Sequence, residues 1–111
     1  MHPHHHHQHN ITIDPSIAVE LDIDRVAHSE RVAIRFNADA DWTGTFELIV
    51  YNSAAKNSFV KPEGALTVVG KLMTWVIEPL AQGLSDRTHF YEIVETQAKR
   101  IVFRGQLKIT K

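Results

Sequence analysis

Several side chains of this chain could in principle do chemistry, and their spacing decides what kind. Beyond the first ten residues the histidines are His28 and His89, and there is no cysteine. A metal site needs further donors converging on the ion. None is spaced to join these two, so both read as solvated turn histidines. Asp39 and Asp41 flank Ala40, a pair that can begin a calcium loop. The further acidic or amide ligands and the glycine that such a loop requires are missing, so the carboxylates read as turn formers bonding their own backbone. Glu20, Asp22 and Asp24 share one strand face, which reads as the wet face or a guarded edge. Glu78, Glu92 and Glu95 are the carboxylates from which a glycosidase pair would be drawn, but nothing fixes a working separation between any two. Ser16, Ser29, Ser53, Ser58 and Ser85 lie outside any G-x-S-x-G elbow. No glycine-rich phosphate loop occurs. The chain therefore reads as no enzyme, with no catalytic residue, no metal ligand and no cofactor.

Aromatics are the remaining candidates for binding. Trp42 and Trp75 each combine a large apolar area with an indole N–H that needs a partner. Phe59 sits in the polar segment NSAAKNSFVKPEG, where a large apolar side chain needs a reason. Phe59, Trp42 and Trp75 are the candidate interface residues, and the two tryptophans are the first candidates for a glycan-stacking platform.

The elements that must position these residues are short. The opening MHPHHHHQHN reads as an expression tag, expected to be disordered, and is set aside. Residues 11–111 suit a single domain that buries roughly 65% of the surface its unfolded chain exposes. The net charge of −1 makes no case for nucleic acid or an anionic membrane. No apolar run approaches the eighteen or so residues of a membrane span.

Period-two alternation then recurs along the chain. Ile17, Val19, Leu21 and Ile23 alternate with Ala18, Glu20, Asp22 and Asp24, with Pro15 ahead of them at an edge position. Arg25 to Glu30 is polar enough to turn. Val32, Ile34 and Phe36 alternate with Arg31, Arg35 and Asn37. Phe46 to Tyr51 is apolar on both parities, which predicts deep burial. The long connection 52–64 has room either to cross between sheets or to carry a short edge strand. Ala65 to Val69 and Lys71 to Glu78 follow as strands, and Leu80 to Leu84 as a helical turn. His89–Glu95 and Arg100–Thr110 form a hairpin around Thr96–Lys99. In the last strand Ile101, Phe103, Gly105, Leu107 and Ile109 fall on the buried parity, and Val102, Arg104 and Gln106 on the wet one. About seven strands without a long helix fit an antiparallel sandwich or a small barrel, and the reading preferred is an all-β, antiparallel immunoglobulin-like β-sandwich. Tyr91, after Leu84 and a polar turn, is placed to form a tyrosine corner.

The motifs D-W-T-G at Asp41–Gly44, Y-E-I at Tyr91–Ile93 and G-Q-L at Gly105–Leu107 resemble the small immunoglobulin-like domains of tailed-phage structural proteins, such as the N-terminal domain of the baseplate upper protein family. The resemblance spans most of Ile17 to Lys111. Trp42 stands where that pattern usually has a smaller apolar residue. The resemblance implies a virion structural module, assembled in the host cytoplasm, that works through other virion proteins and through homo-oligomer formation. It carries over no catalytic residue. It implies that Gly105 permits a bulge or close packing and that Asp41 and Gly44 shape a turn. The alternative expectation is a carbohydrate-binding module or adhesin tip, with glycan as ligand.

Overall fold

A computed structural model describes residues 19–111 in full and the backbone of residues 6–13. The strands are β1 (His6–Ile13), β2 (Val19–Glu20), β3 (Ile23–Ala27), β4 (Arg31–Ala38), β5 (Phe46–Tyr51), β6 (Phe59–Val60), β7 (Leu66–Val69), β8 (Leu72–Ile77), β9 (Thr88–Glu95) and β10 (Arg100–Thr110). One helical turn, α1 (Pro79–Gln82), interrupts them. The described strands therefore exceed the seven expected, because the first alternating run divides into β2 and β3, the 52–64 connection supplies β6, and β1 precedes them. Residues 1–5 of the tag, and Pro15, Ile17 and Ala18 of the first alternating run, lie outside the described residues.

Two sheets form a β-sandwich. The first has the order β1-β4-β8-β7; the second runs β2-β10-β9-β5-β6, with β3 also paired to β10. Neighbours are antiparallel except β1 against β4 and β2 and β3 against β10, which are parallel. The backbone of His6–Asn10, within the stretch read as a tag, is described as strand. Their backbone pairs with Arg31–Arg35 of β4, because a sheet edge offers N–H and C=O groups to any extended segment.

Alternation explains the core. Val32, Ile34 and Phe36 of β4 face inward, opposite Ile77, Trp75 and Met73 of β8, and all six are buried. Between the sheets the Phe36 and Phe103 rings stack at 4.2 Å, and Trp75 meets Tyr91 at 4.5 Å. Offset aromatic pairs of this kind add to the area they bury. β5 is less buried than its composition predicts. Only Leu48 and Val50 are buried, while Ile49 lies on the outer face.

Two bulges break the predicted parity. In β10, Ile101 pairs with Val94 and Phe103 with Ile93, so Val102 is an extra residue. Val102 and Phe103 are then both fully buried, and Ile101 is only half-buried. In β3, Ile23 and Val26 lie opposite Leu107 and Ile109, three residues against two. Arg25 absorbs the extra length with a left-handed backbone, φ 63°. The segment 25–30 read as a turn thus begins as strand, and the turn is confined to its end.

Candidate functional site

The outer face of the second sheet carries a run of paired polar side chains. On β9 and β10 the outward residues include Phe90, Glu92, Arg104 and Gln106, since Arg104 is registered with Glu92 and Gln106 with Phe90. Tyr51 of β5 lies beside Phe90. Together with the 19–22 segment and the 52–58 loop they frame a depression of about 510 Å³, lined by Glu20, Asp22, Lys56, Glu92, Arg104 and Gln106 among others.

Glu92 is at its centre. Although charged, it is a buried residue with 8% exposure. Its carboxylate accepts from Lys56 Nζ at 2.5 Å and from Tyr51 Oη at 3.3 Å. A charge this covered needs such partners. Lys56 is positioned by its own left-handed backbone, φ 58°, and by its N–H bonding to Ser53 O at 3.0 Å. Its ammonium also stands 5.5 Å from the Tyr51 ring centroid. Burial, the Glu92 charge and the Glu92 hydrogen bond push the Tyr51 hydroxyl above the ordinary tyrosine value, with Lys56 opposing.

Further charges are interlocked along the same face. Arg104 places Nε and Nη2 on Glu20 Oε1 at 3.2 and 3.0 Å. The Gln106 N–H donates to Asp22 Oδ1 at 2.8 Å. At the far edge Lys61 pairs with Glu47 at 3.2 Å and stands 5.7 Å from the Phe59 ring. The carboxylates and cations here are engaged with one another. Such a face offers paired charges and hydrogen-bonding edges for docking.

The 19–22 segment owes its place to a clasp. Tyr91 Oη donates to Leu21 O at 2.6 Å, and Leu21 N–H donates to Arg104 O at 2.9 Å. Gly105 lies so close to the Leu21 carbonyl that a Cβ there would overlap it. Burial, and secondarily Asp22, push the Tyr91 hydroxyl well above its ordinary value. The hydroxyl thus reaches a different strand region, far upstream. In a tyrosine corner it would return to backbone a few residues back, so the predicted corner is not formed.

The other sequence candidates fall as follows. Trp42 and Trp75 are 6% and 1% exposed, and both sit in the core. Trp42 Nε1–H donates to Phe36 O at 3.4 Å, and its ring lies edge-on to Phe46. Neither indole presents a face to a partner, which removes both from the expected interface and from the glycan platform. Their large apolar areas are worth more between the sheets than in water. Phe59 is 53% exposed on β6, edge-on to Tyr51 at 6.0 Å. His89 is no solvated turn residue. It is 1% exposed within β9. Its ring nitrogens face Ser85 O at 2.9 Å (Nε2) and Tyr51 O at 3.3 Å (Nδ1). Asp39 and Asp41 are exposed.

Glu95 is a structural joint. Its carboxylate accepts from Ala98 N–H at 2.7 Å, Thr45 N–H at 3.1 Å and Gln97 N–H at 3.2 Å. The Ala98 bond first, then those from Gln97 and Thr45 and the Arg100 charge, hold it below the ordinary carboxylate range against the opposing effect of burial. Gly44, at φ 105°, leaves the space that this carboxylate fills. Among the described residues no three His, Asp or Glu side chains converge on a metal position. No described helix is long and apolar enough to cross a membrane.

Sequence reasoning missed Lys56 and Arg104. The one signal was Glu92 on the wet parity of β9, between two core residues. Its cation comes from a loop whose path the sequence does not show.

No family model matches the sequence, and no curated protein matches it. Among solved structures the chain is similar to the N-terminal domain of phage TP901-1 ORF48, at 12% identity and a TM-score of 0.47, over 95% of this chain and 99% of that one. That likeness transfers no residue role to this chain.

Proposed function

We propose that the chain is an immunoglobulin-like structural module of a tailed-phage virion, assembled in the host cytoplasm and acting by protein–protein docking. The observation that carries the docking role is the outer face of the second sheet. There Glu92, Lys56 and Tyr51 form a hydrogen-bonded network beside the exposed ring of Phe59. A pre-ordered face loses little entropy on binding, and an exposed aromatic beside polar groups suits an interface anchor.

The strand order supports the immunoglobulin-like reading. Labelling β4, β5, β7, β8, β9 and β10 as B to G gives one sheet B-E-D and another G-F-C, the order these strands have in such sandwiches; β1 lies beside B but runs parallel to it. β6 extends the second sheet beyond C, and β2 and β3 extend it beyond G. The virion assignment rests on the sequence motifs. Asp41–Gly44, Tyr91–Ile93 and Gly105–Leu107 lie at joints of the fold: the Trp42 anchor, the Tyr91 clasp and the Gly105 approach.

The test is immunogold labelling of phage particles released from the source cells, using an antibody raised against the chain. Gold on one defined part of the particle is the expected result. Particles that stay unlabelled while the chain remains free in the lysate would overturn the assignment. Phe59→Ala, which leaves the Lys56–Glu92 pair in place, is expected to keep the fold and to leave the chain out of the particle.

A further inference from the structure

The free edge of β7 differs from the other edges whose side chains are described. β6 has two residues and is followed by Lys61 and Pro62. The β2–β3 edge is broken at Leu21–Asp22 and carries Glu20, Asp22 and Asp24. Short, charged or interrupted edges resist strand addition. β7, by contrast, lies in Ala65-Leu-Thr-Val-Val-Gly70, which has no charge and no proline. Val69 is 77% exposed.

The backbone of β7 shows what fits there. Val76 N–H donates to Ala65 O at 2.8 Å, so Ala65 turns its carbonyl toward β8. By the period of two, Thr67 and Val69 do the same, while Leu66 and Val68 turn theirs out of the sheet. Thr67 and Val69 point their side chains to solvent, and Leu66 and Val68 face inward.

The geometry points to a second copy of this chain as the occupant, with β7 pairing antiparallel to β7 across a two-fold axis through Thr67. In that register Leu66 of each copy lies opposite Val68 of the other, and these two residues hold the outward N–H and C=O groups. Thr67 meets itself as a non-hydrogen-bonded pair, and Val69 covers Ala65. The central pairs match, half-buried Leu66 with Val68 and exposed Thr67 with itself, as a continuous sheet requires, while at the ends exposed Val69 lies opposite buried Ala65. The ends select the orientation. Glu63 precedes the strand and Lys71 follows it; both are exposed, and neither has an ion pair with a described residue. Antiparallel pairing brings Glu63 of each copy to the end where Lys71 of the other stands, whereas parallel pairing would bring like charges together. The contact is isologous, so it closes as a dimer. This deepens the docking reading by naming one partner. Particle labelling can fail while self-pairing stands, and the reverse.

The chain has no cysteine, so single cysteines report the register. Two Thr67 residues in a non-hydrogen-bonded pair would have Cα atoms about 4.5 Å apart, within the span of a disulfide. Thr67→Cys oxidised with glutathione is expected to form the covalent dimer at least about tenfold faster than Val69→Cys, whose partner in this register is Ala65. Sedimentation of the unmodified chain from about 10 μM to 1 mM is expected to show a monomer–dimer equilibrium. Thr67→Lys, which sets like charges on the axis, is expected to weaken that dimer at least about tenfold. Far-UV circular dichroism matching the parent confirms that this variant folds. A strict monomer at 1 mM would overturn the proposal. So would a dimer indifferent to Thr67→Lys, or equal cross-linking rates for the two cysteine variants.

Discussion

Single side chains set the pH limits of this fold. Glu95 is held below the ordinary carboxylate range by backbone N–H donors, Ala98 foremost. A lowered folded value means that its contribution is complete above the unfolded carboxylate value, about 4.3, and is lost as pH falls through the folded one. Urea unfolding of Glu95→Gln against the parent should therefore show a deficit near pH 6 that narrows on acidification toward about pH 3. Tyr91 works in the opposite sense. Its hydroxyl is raised by burial, so its contribution is complete below the unfolded value of about 10 and is lost as pH rises beyond it. Tyr91→Phe should cost about 1–2 kcal/mol at neutral pH, because the bond to Leu21 O is lost, and should flatten part of the alkaline decline. Denaturant titrations at neutral pH and above pH 10 would read both effects.

At the scale of elements, bulges carry more information than strands. β3 bends around Arg25, whose φ of 63° is costly for a residue with a Cβ. Arg25→Val is expected to lower stability by about 1–2 kcal/mol, since a branched side chain crowds this conformation further. Arg25→Gly should not lower it, as glycine enters the same region freely. Chemical denaturation of the two variants distinguishes a bulge imposed by packing from a loop that tolerates either residue. The final hairpin was legible because its connector is short and its residues suit strands. The Val102 bulge within it was not legible. A period-two pattern assumes one residue per step on both strands, and an inserted residue shows only when the partner's register is known.

The whole molecule depends on aromatic contact between its sheets. Phe36 is fully buried and stacks on Phe103. Phe36→Ala should cost about 3–5 kcal/mol, a large part of the total stability of about 5–15 kcal/mol expected of a domain. Phe59→Ala on the outer surface should stay within about 0.5 kcal/mol. A thermal melt of each variant checks the contrast. A large loss at Phe59 would mean that its ring supports the sheet rather than a partner.

Local patterning was enough to determine the all-β class, the hairpin Thr88–Thr110 and the one-turn helix after Glu78, while for 52–64 it left a sheet crossing and an edge strand both open. Each follows from which neighbours alternate or break, and that information is local. Three outcomes were decided only in three dimensions. The tryptophans are structural, because the space between the sheets takes the largest apolar surfaces wherever the chain supplies them. Glu92 became the centre of the outer face because Lys56 reaches it from 36 residues away in sequence. Tyr91 secures Leu21 across 70 residues. Alternation records which side of a strand is dry; it holds no record of which distant strand or loop will lie alongside.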